Sequence, residues 1–106
     1  MVNEKIAKIF QEIAGLLEIK GTAFKPTAYR KAAAALKDLQ EDISLLYKES
    51  GLKGLEKLPA IGKSTAQKIE EYLKKGKIKY HQELKKETAL RQIITHYFET
   101  KDLSLV

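Results

Sequence analysis

Two apolar helical segments meet at Leu58-Pro59-Ala60-Ile61-Gly62, and this junction limits the fold more than any other stretch of the 106 residues. Leu55 and Leu58 give the first segment an apolar face. Pro59 ends it, because proline has no amide proton and drives the residue before it out of helical geometry. Gly62 is read as the residue that lets the chain turn tightly and leaves the next helix's first amides uncovered. Free N–H groups and the positive end of a helix dipole together attract an anion such as phosphate. Lys57, Lys63 and Lys68 stand around that point. The junction therefore predicts a hairpin of two short helices that grips phosphate.

The rest of the chain reads as helix with punctuation. Asn3 is placed to cap a first helix whose Ile6, Ile9, Phe10, Ile13, Leu16 and Leu17 recur at helical spacing, and Gly21 stops it. Pro26 suits the first turn of a second helix, Thr27 to about Leu36, with Tyr29, Ala32, Ala33 and Leu36 on one face. Asp42 opens a third helix through Ile43, Leu46 and Tyr47, closed by Gly51. The hairpin helices are Leu52 to Leu58 and Lys63 to Lys75, with Gly76 as a C-terminal cap. A last helical region runs from about Tyr80 to Glu99, broken near Thr88. No period-two alternation is long enough for a sheet. The expected architecture is all-α, a compact bundle of five or six short helices.

Charge placement sharpens the hairpin's reading. The formal net charge is +6, and residues 53–79 alone carry eight lysines against three glutamates. Excess positive charge concentrated on an anion-binding turn points to a polyanionic partner. The absence of cysteine excludes disulfides and thiolate metal sites. His81 and His96 have no ligand at helical spacing, so no transition-metal site is expected. No apolar run approaches the ~20 residues that span a bilayer, and no signal-peptide pattern opens the chain. A cytoplasmic, intracellular setting without a membrane partner is the expectation.

The segment Leu55–Ile69 resembles a helix-hairpin-helix motif, a DNA-backbone binder with little sequence preference. Leu58, Pro59, Ile61, Gly62, Ala66 and Ile69 fit its pattern, and Ala60 stands where the motif normally has glycine. Alanine resists positive φ and puts a methyl where a phosphate approaches. Further landmarks are Leu17-Glu18-Ile19-Lys20-Gly21, Ala28-Tyr29-Arg30-Lys31-Ala32-Ala33, Gly76-Lys77-Ile78 and Glu83-Leu84. In this order they resemble the N-terminal domain of family X DNA polymerases, the DNA polymerase beta-like group, over residues 3–86. The expected division is a polymerase beta-like helix-hairpin-helix domain at 1–86 and a C-terminal amphipathic helix and tail at 87–106. No Asp-x-Asp pair occurs, so the family's nucleotidyltransferase centre is not in this sequence.

The resemblance implies that the domain grips the 5′-phosphate side of a DNA gap. In some relatives it also removes a 5′-deoxyribose phosphate through a lysine Schiff base. The nucleophile position falls on Lys68, and Lys25 and Tyr29 fall on positions that hold the 5′-phosphate. Lys57, Ala60, Gly62, Lys63 and Ser64 complete the implied DNA-binding set. Departures gather in the same place. Phe24, Glu56, Ser64 and Gln67 stand where the polymerase beta type has histidine, lysine, lysine and glutamate. The resemblance also implies a monovalent cation, Na⁺ or K⁺, on the backbone carbonyls of Glu56, Leu58 and Ile61, with no other cofactor.

Beyond Lys86 the pattern departs from the family. Leu90, Ile93, Ile94, Tyr97 and Phe98 make an apolar stripe at helical spacing. It suits the domain's own core, a homodimer contact, or a polymerase or repair partner. Three functional readings follow. The first is a sequence-nonspecific module that binds DNA at gaps, nicks or 5′-phosphate ends in repair. The alternatives are a deoxyribose-phosphate or abasic-site lyase using Lys68, and an interaction adaptor using the C-terminal helix.

Overall fold

The computed structural model describes residues 1–91, which form five helices and no strand. They are α1 (Val2–Lys20), α2 (Lys25–Asp38), α3 (Ile43–Glu56), α4 (Lys63–Lys75) and α5, described over residues 79–91. The all-α expectation holds. None of the described helices is long and apolar enough to cross a membrane.

The core begins with the apolar stripe of α1. Ile6, Ala7, Phe10, Ile13, Ala14 and Leu17 are all buried, at the three- and four-residue spacing that lines one helix face. Against it lie Tyr29, Ala32, Ala33 and Leu36 of α2. The alanines let the two helices approach closely, and Phe10 meets Tyr29 edge-to-face at 5.6 Å. Gly21, at φ 84°, ends α1 in the left-handed conformation. Its N–H donates to the Glu18 carbonyl, and the Thr22 N–H reaches back to that of Leu17, each at 3.0 Å.

Asn3 does not cap α1. It sits inside the helix, 1% exposed. Its Nδ2 donates to the Glu41 carbonyl at 2.7 Å, and its Oδ1 accepts from the Ile43 N–H at 2.8 Å. Its side chain thus fastens the α2–α3 loop and the start of α3, tertiary work that local capping preference does not reveal. Asp42 caps α3 as expected, accepting from the Ser44 N–H at 2.9 Å. Gly51 then breaks α3 at φ 66°, ψ −162°, separating an outer part from the hairpin's first helix.

α4 matches its predicted bounds, and Gly76 closes it at φ 73°. α5 runs through Thr88 without the expected break. His81, Leu84 and Thr88 are buried at three- and four-residue spacing, and this packing outweighs threonine's small helix penalty. An ion pair between Lys20 and Glu87, at 3.2 Å, ties α5 to α1, and the buried His81 ring lies against the Glu12 carboxylate at 3.0 Å. Of the C-terminal stripe only Leu90 lies among the described residues, where it is exposed. Ile93, Ile94, Tyr97 and Phe98 lie outside them.

Candidate nucleic-acid interface

The hairpin turn is held by two backbone hydrogen bonds. Leu58 N–H donates to the Leu55 carbonyl at 3.1 Å, and Ile61 N–H donates to the Leu58 carbonyl at 3.2 Å. Leu58-Pro59-Ala60-Ile61 is therefore a closed β-turn, with proline second and a positive φ, 65°, at Ala60 third. That is the type II arrangement, whose third position favours glycine. The left-handed residue is thus Ala60 and not Gly62, which is extended at φ −90°, ψ −175°. A Cβ at Gly62 would meet nothing within 4 Å. The glycine's effect is to leave the approach to α4's first amides open.

Those amides are shared differently from the expectation. The Gly62 N–H is taken by Thr65 Oγ1 at 2.9 Å, and the Thr65 hydroxyl donates back to the Gly62 carbonyl at 3.1 Å. The N–H groups of Lys63, Ser64 and Thr65 remain, because a helix supplies no acceptor for its first turn. Lys57, Ala60, Gly62, Lys63 and Ser64 are all exposed around them. No acidic residue occupies the first turn of α4.

One turn along α4, a second cluster forms around Lys68. Its Nζ donates to Ser64 Oγ at 2.9 Å. It also lies 5.0 Å from the centre of the Tyr80 ring and 5.9 Å from that of Tyr29, within cation–π range of both. The two tyrosines stack at 6.4 Å. Burial lowers the Lys68 pKa below the ordinary lysine value; Glu71 opposes the shift and Lys25 adds to it. Tyr29 is pushed up to about 12, chiefly by burial and then by Tyr80, while the nearby Ser64 opposes. Tyr29 thus serves the core through Phe10 and reaches the cluster through Tyr80 and Lys68. Tyr29, Ser64 and Lys68 come together here, with Lys25 near enough for its charge to act on Lys68; Lys57, Ala60, Gly62 and Lys63 form the adjoining turn.

The α2 end of the cluster carries unusual backbone. Phe24, the residue before Lys25, has φ 69° and ψ −41°. The Lys25 N–H donates to the Ala23 carbonyl at 2.8 Å, which makes Ala23-Phe24-Lys25 a γ-turn of the rare positive-φ kind. Its phenyl ring is 91% exposed. Strain that presents an apolar ring to solvent beside a lysine gains nothing for the core.

The sequence reading misses Tyr80 as a member of the site. Its placement depends on how the Gly76 turn sends α5 back beside α4, and a tyrosine in a helix's first turn carries no signal of that crossing. At the hairpin, the carbonyls of Glu56 and Ile61 accept no hydrogen bond from the described residues, and that of Leu58 accepts one. A carbonyl has two lone pairs, so this donor set fits the hard monovalent cation that the motif implies.

Residues 1–78 match the helix-hairpin-helix domain family. The chain belongs to that family. Over 88 residues the helix-hairpin-helix chain is 40% identical to the DNA polymerase/3′-5′ exonuclease PolX of Bacillus subtilis (strain 168). The matched stretch is 82% of this chain and 14% of that protein's length. The likeness to family X polymerases drawn from the sequence landmarks is borne out. A helix-hairpin-helix domain with this likeness implies DNA binding.

Proposed function

We propose that this helix-hairpin-helix chain is a sequence-nonspecific DNA-binding module that grips the phosphate backbone at gaps, nicks or 5′-phosphorylated ends in DNA repair. The observation that carries the reading is the convergence of Lys25, Tyr29, Ser64 and Lys68 one helical turn from the hairpin's open amides. Backbone amides, a helix N-terminus and lysines read phosphate charge and not base identity. The N–H groups of Lys63 and Ser64, with Lys57 and Lys63 beside them, hold internal phosphates. Lys25, Lys68 and the Tyr29 and Ser64 hydroxyls hold the terminal one, whose extra charge matches two lysines. The Phe24 ring stacks on a base left unpaired by the gap. A Na⁺ or K⁺ on the carbonyls of Glu56, Leu58 and Ile61 would add positive charge at the turn. The test is fluorescence anisotropy with gapped duplexes that differ only in a 5′-phosphate or 5′-hydroxyl. Tighter binding of the phosphate, lost in Lys25→Ala/Lys68→Ala, is expected; equal binding of the two ends overturns the terminal-phosphate role.

A second reading rests on the half-buried Lys68 amine. Its lowered pKa increases the neutral fraction that can attack an aldehyde. Nζ would add to C1′ of a 5′-deoxyribose phosphate, and loss of water would form an imine. Removal of a C2′ proton would then break the C3′–O bond, leaving a 5′-phosphate on the DNA. Borohydride trapping on an incised abasic substrate tests this lyase reading. A trapped adduct that vanishes in Lys68→Ala supports it, and no adduct in the unaltered chain excludes it.

A further inference from the structure

We infer that the cleft between the C-terminal end of α4 and the first turns of α5 is a second phosphate-binding surface, holding the DNA strand that runs away from the terminal phosphate. The inference rests on the DNA-binding reading above and extends it to residues outside the hairpin and the Lys68 cluster.

Ser64, Lys68, Glu71 and Lys75 follow one another at three- and four-residue intervals, so they form a single stripe along α4. From Lys68 onward the stripe faces α5. Lys68 lies over Tyr80, and Glu71 Oε2 accepts the Lys79 N–H at 2.9 Å. It ends in a cleft of about 500 Å³ where Lys75, Lys77, Lys79 and Lys86 gather.

Two carboxylates share that cleft, and both have partners. Glu71 is engaged by the Lys79 amide, where it serves the N-terminus of α5, and Glu83 lies 4.0 Å from Lys79 Nζ. Lys75, Lys77 and Lys86 have no carboxylate within ion-pair distance among the described residues. Lysines in a helix's last turn offset its dipole, which accounts for Lys75. It does not account for Lys77, beyond the Gly76 cap, or for Lys86, well inside α5. Three unpaired ammonium groups around a cleft, continuous with a phosphate pocket, suit a polyanion.

The spacing fits a nucleic-acid strand. From Ser64 to Lys75 the helix rises about 16 Å. One strand of B-form DNA carries a phosphate per ~3.4 Å of axis, and because the strand also winds around that axis its neighbouring phosphates lie roughly twice as far apart, so the stripe spans about two to three phosphates.

The test uses a gapped DNA with a 5′-phosphate in which the phosphates around roughly the third position are replaced by uncharged methylphosphonates. The full chain is compared with Lys75→Gln/Lys77→Gln/Lys86→Gln, whose exposed side chains leave the core untouched and whose helicity is checked by circular dichroism. Neutralising those phosphates is expected to weaken the unaltered chain and leave the triple variant's affinity unchanged. The triple variant's log–log salt slope is expected to be shallower by about 2–3. Equal losses in both proteins, or no loss in either, overturn the inference. Discrimination of 5′-phosphate from 5′-hydroxyl is measured alongside: if it persists while the cleft effect is absent, the second surface alone is wrong. If no gapped DNA binds, both readings fall.

Discussion

Replacing Ala60 by glycine tests the hairpin account at its most exposed point. Ala60 is held at φ 65° by the Leu58–Ile61 hydrogen bond, and its side chain is exposed. The left-handed conformation costs an alanine roughly 1–2 kcal/mol because Cβ crowds the following carbonyl. Glycine escapes that strain, but its greater freedom in the unfolded chain costs about 0.4–1 kcal/mol. The methyl group leaves no cavity. The difference is a net stabilisation of about 0.8 kcal/mol, and for a domain of this size Tm rises by roughly 3–6 °C. Thermal and urea melts followed by circular dichroism measure it, with Ala60→Val as the opposing control. A β-branched side chain at positive φ adds crowding, so the valine variant melts below the parent. Glycine also uncovers the turn, so affinity for gapped DNA rises in the same variant. A glycine variant that melts several degrees lower, or a valine variant that melts higher, refutes the assignment of the left-handed position to Ala60.

Three further outcomes follow from separate parts of the molecule. Phe24→Ala leaves Tm nearly unchanged because the ring is exposed, yet weakens binding to gapped DNA by about 1–3 kcal/mol, with little effect on intact duplex; equal losses on both DNAs count against stacking. Asn3→Leu removes one buried and one part-buried hydrogen bond to the α2–α3 connection and leaves the Glu41 carbonyl and Ile43 amide without that partner, so urea unfolding shows a loss of about 2–4 kcal/mol. His81 is buried, and burial lowers its folded-state pKa below the ordinary 6.5, with Lys85 adding to the shift and Glu12 opposing it. The unfolded chain therefore takes up this proton first as pH falls, so stability declines below about pH 6.5 and levels off once the folded-state pKa is passed. His81→Gln flattens that decline between about pH 7.5 and 5.5; an unchanged slope assigns the effect elsewhere.

The helices were legible where local chemistry and packing agree. Asp42, Gly51 and Gly76 punctuate the chain as their backbone preferences require, and of the α1 stripe Ile6, Phe10, Ile13 and Leu17 are buried while Ile9 and Leu16 flank them half-buried. Asn3 and Thr88 show the limit. Each has a plausible local role, as a cap and as a helix breaker, and each is instead placed by contacts with another element. The hairpin divides in the same way. Its existence follows from Leu58 to Gly62, but the division of labour between Ala60 and Gly62 depends on which amide closes the turn. Lys25, Tyr29 and Lys68 were identifiable from sequence landmarks. Tyr80 was not, because nothing within α5's first turn tells which side of α4 it will cover. The cleft at Lys75, Lys77 and Lys86 lies further beyond reach, since it is the fold that leaves these lysines without a carboxylate partner among the described residues.

The central claim is that this helix-hairpin-helix chain holds DNA by its phosphates. The measurement that tests it most directly is the dissociation constant for one gapped, 5′-phosphorylated DNA across a series of salt concentrations, repeated with the base sequence scrambled. Phosphate contact releases counterions, so the affinity should fall linearly on log–log axes, with a slope of about −0.9 per phosphate engaged, and scrambling should leave the line in place. An affinity that barely changes with salt, or one that follows the base sequence, would contradict the account.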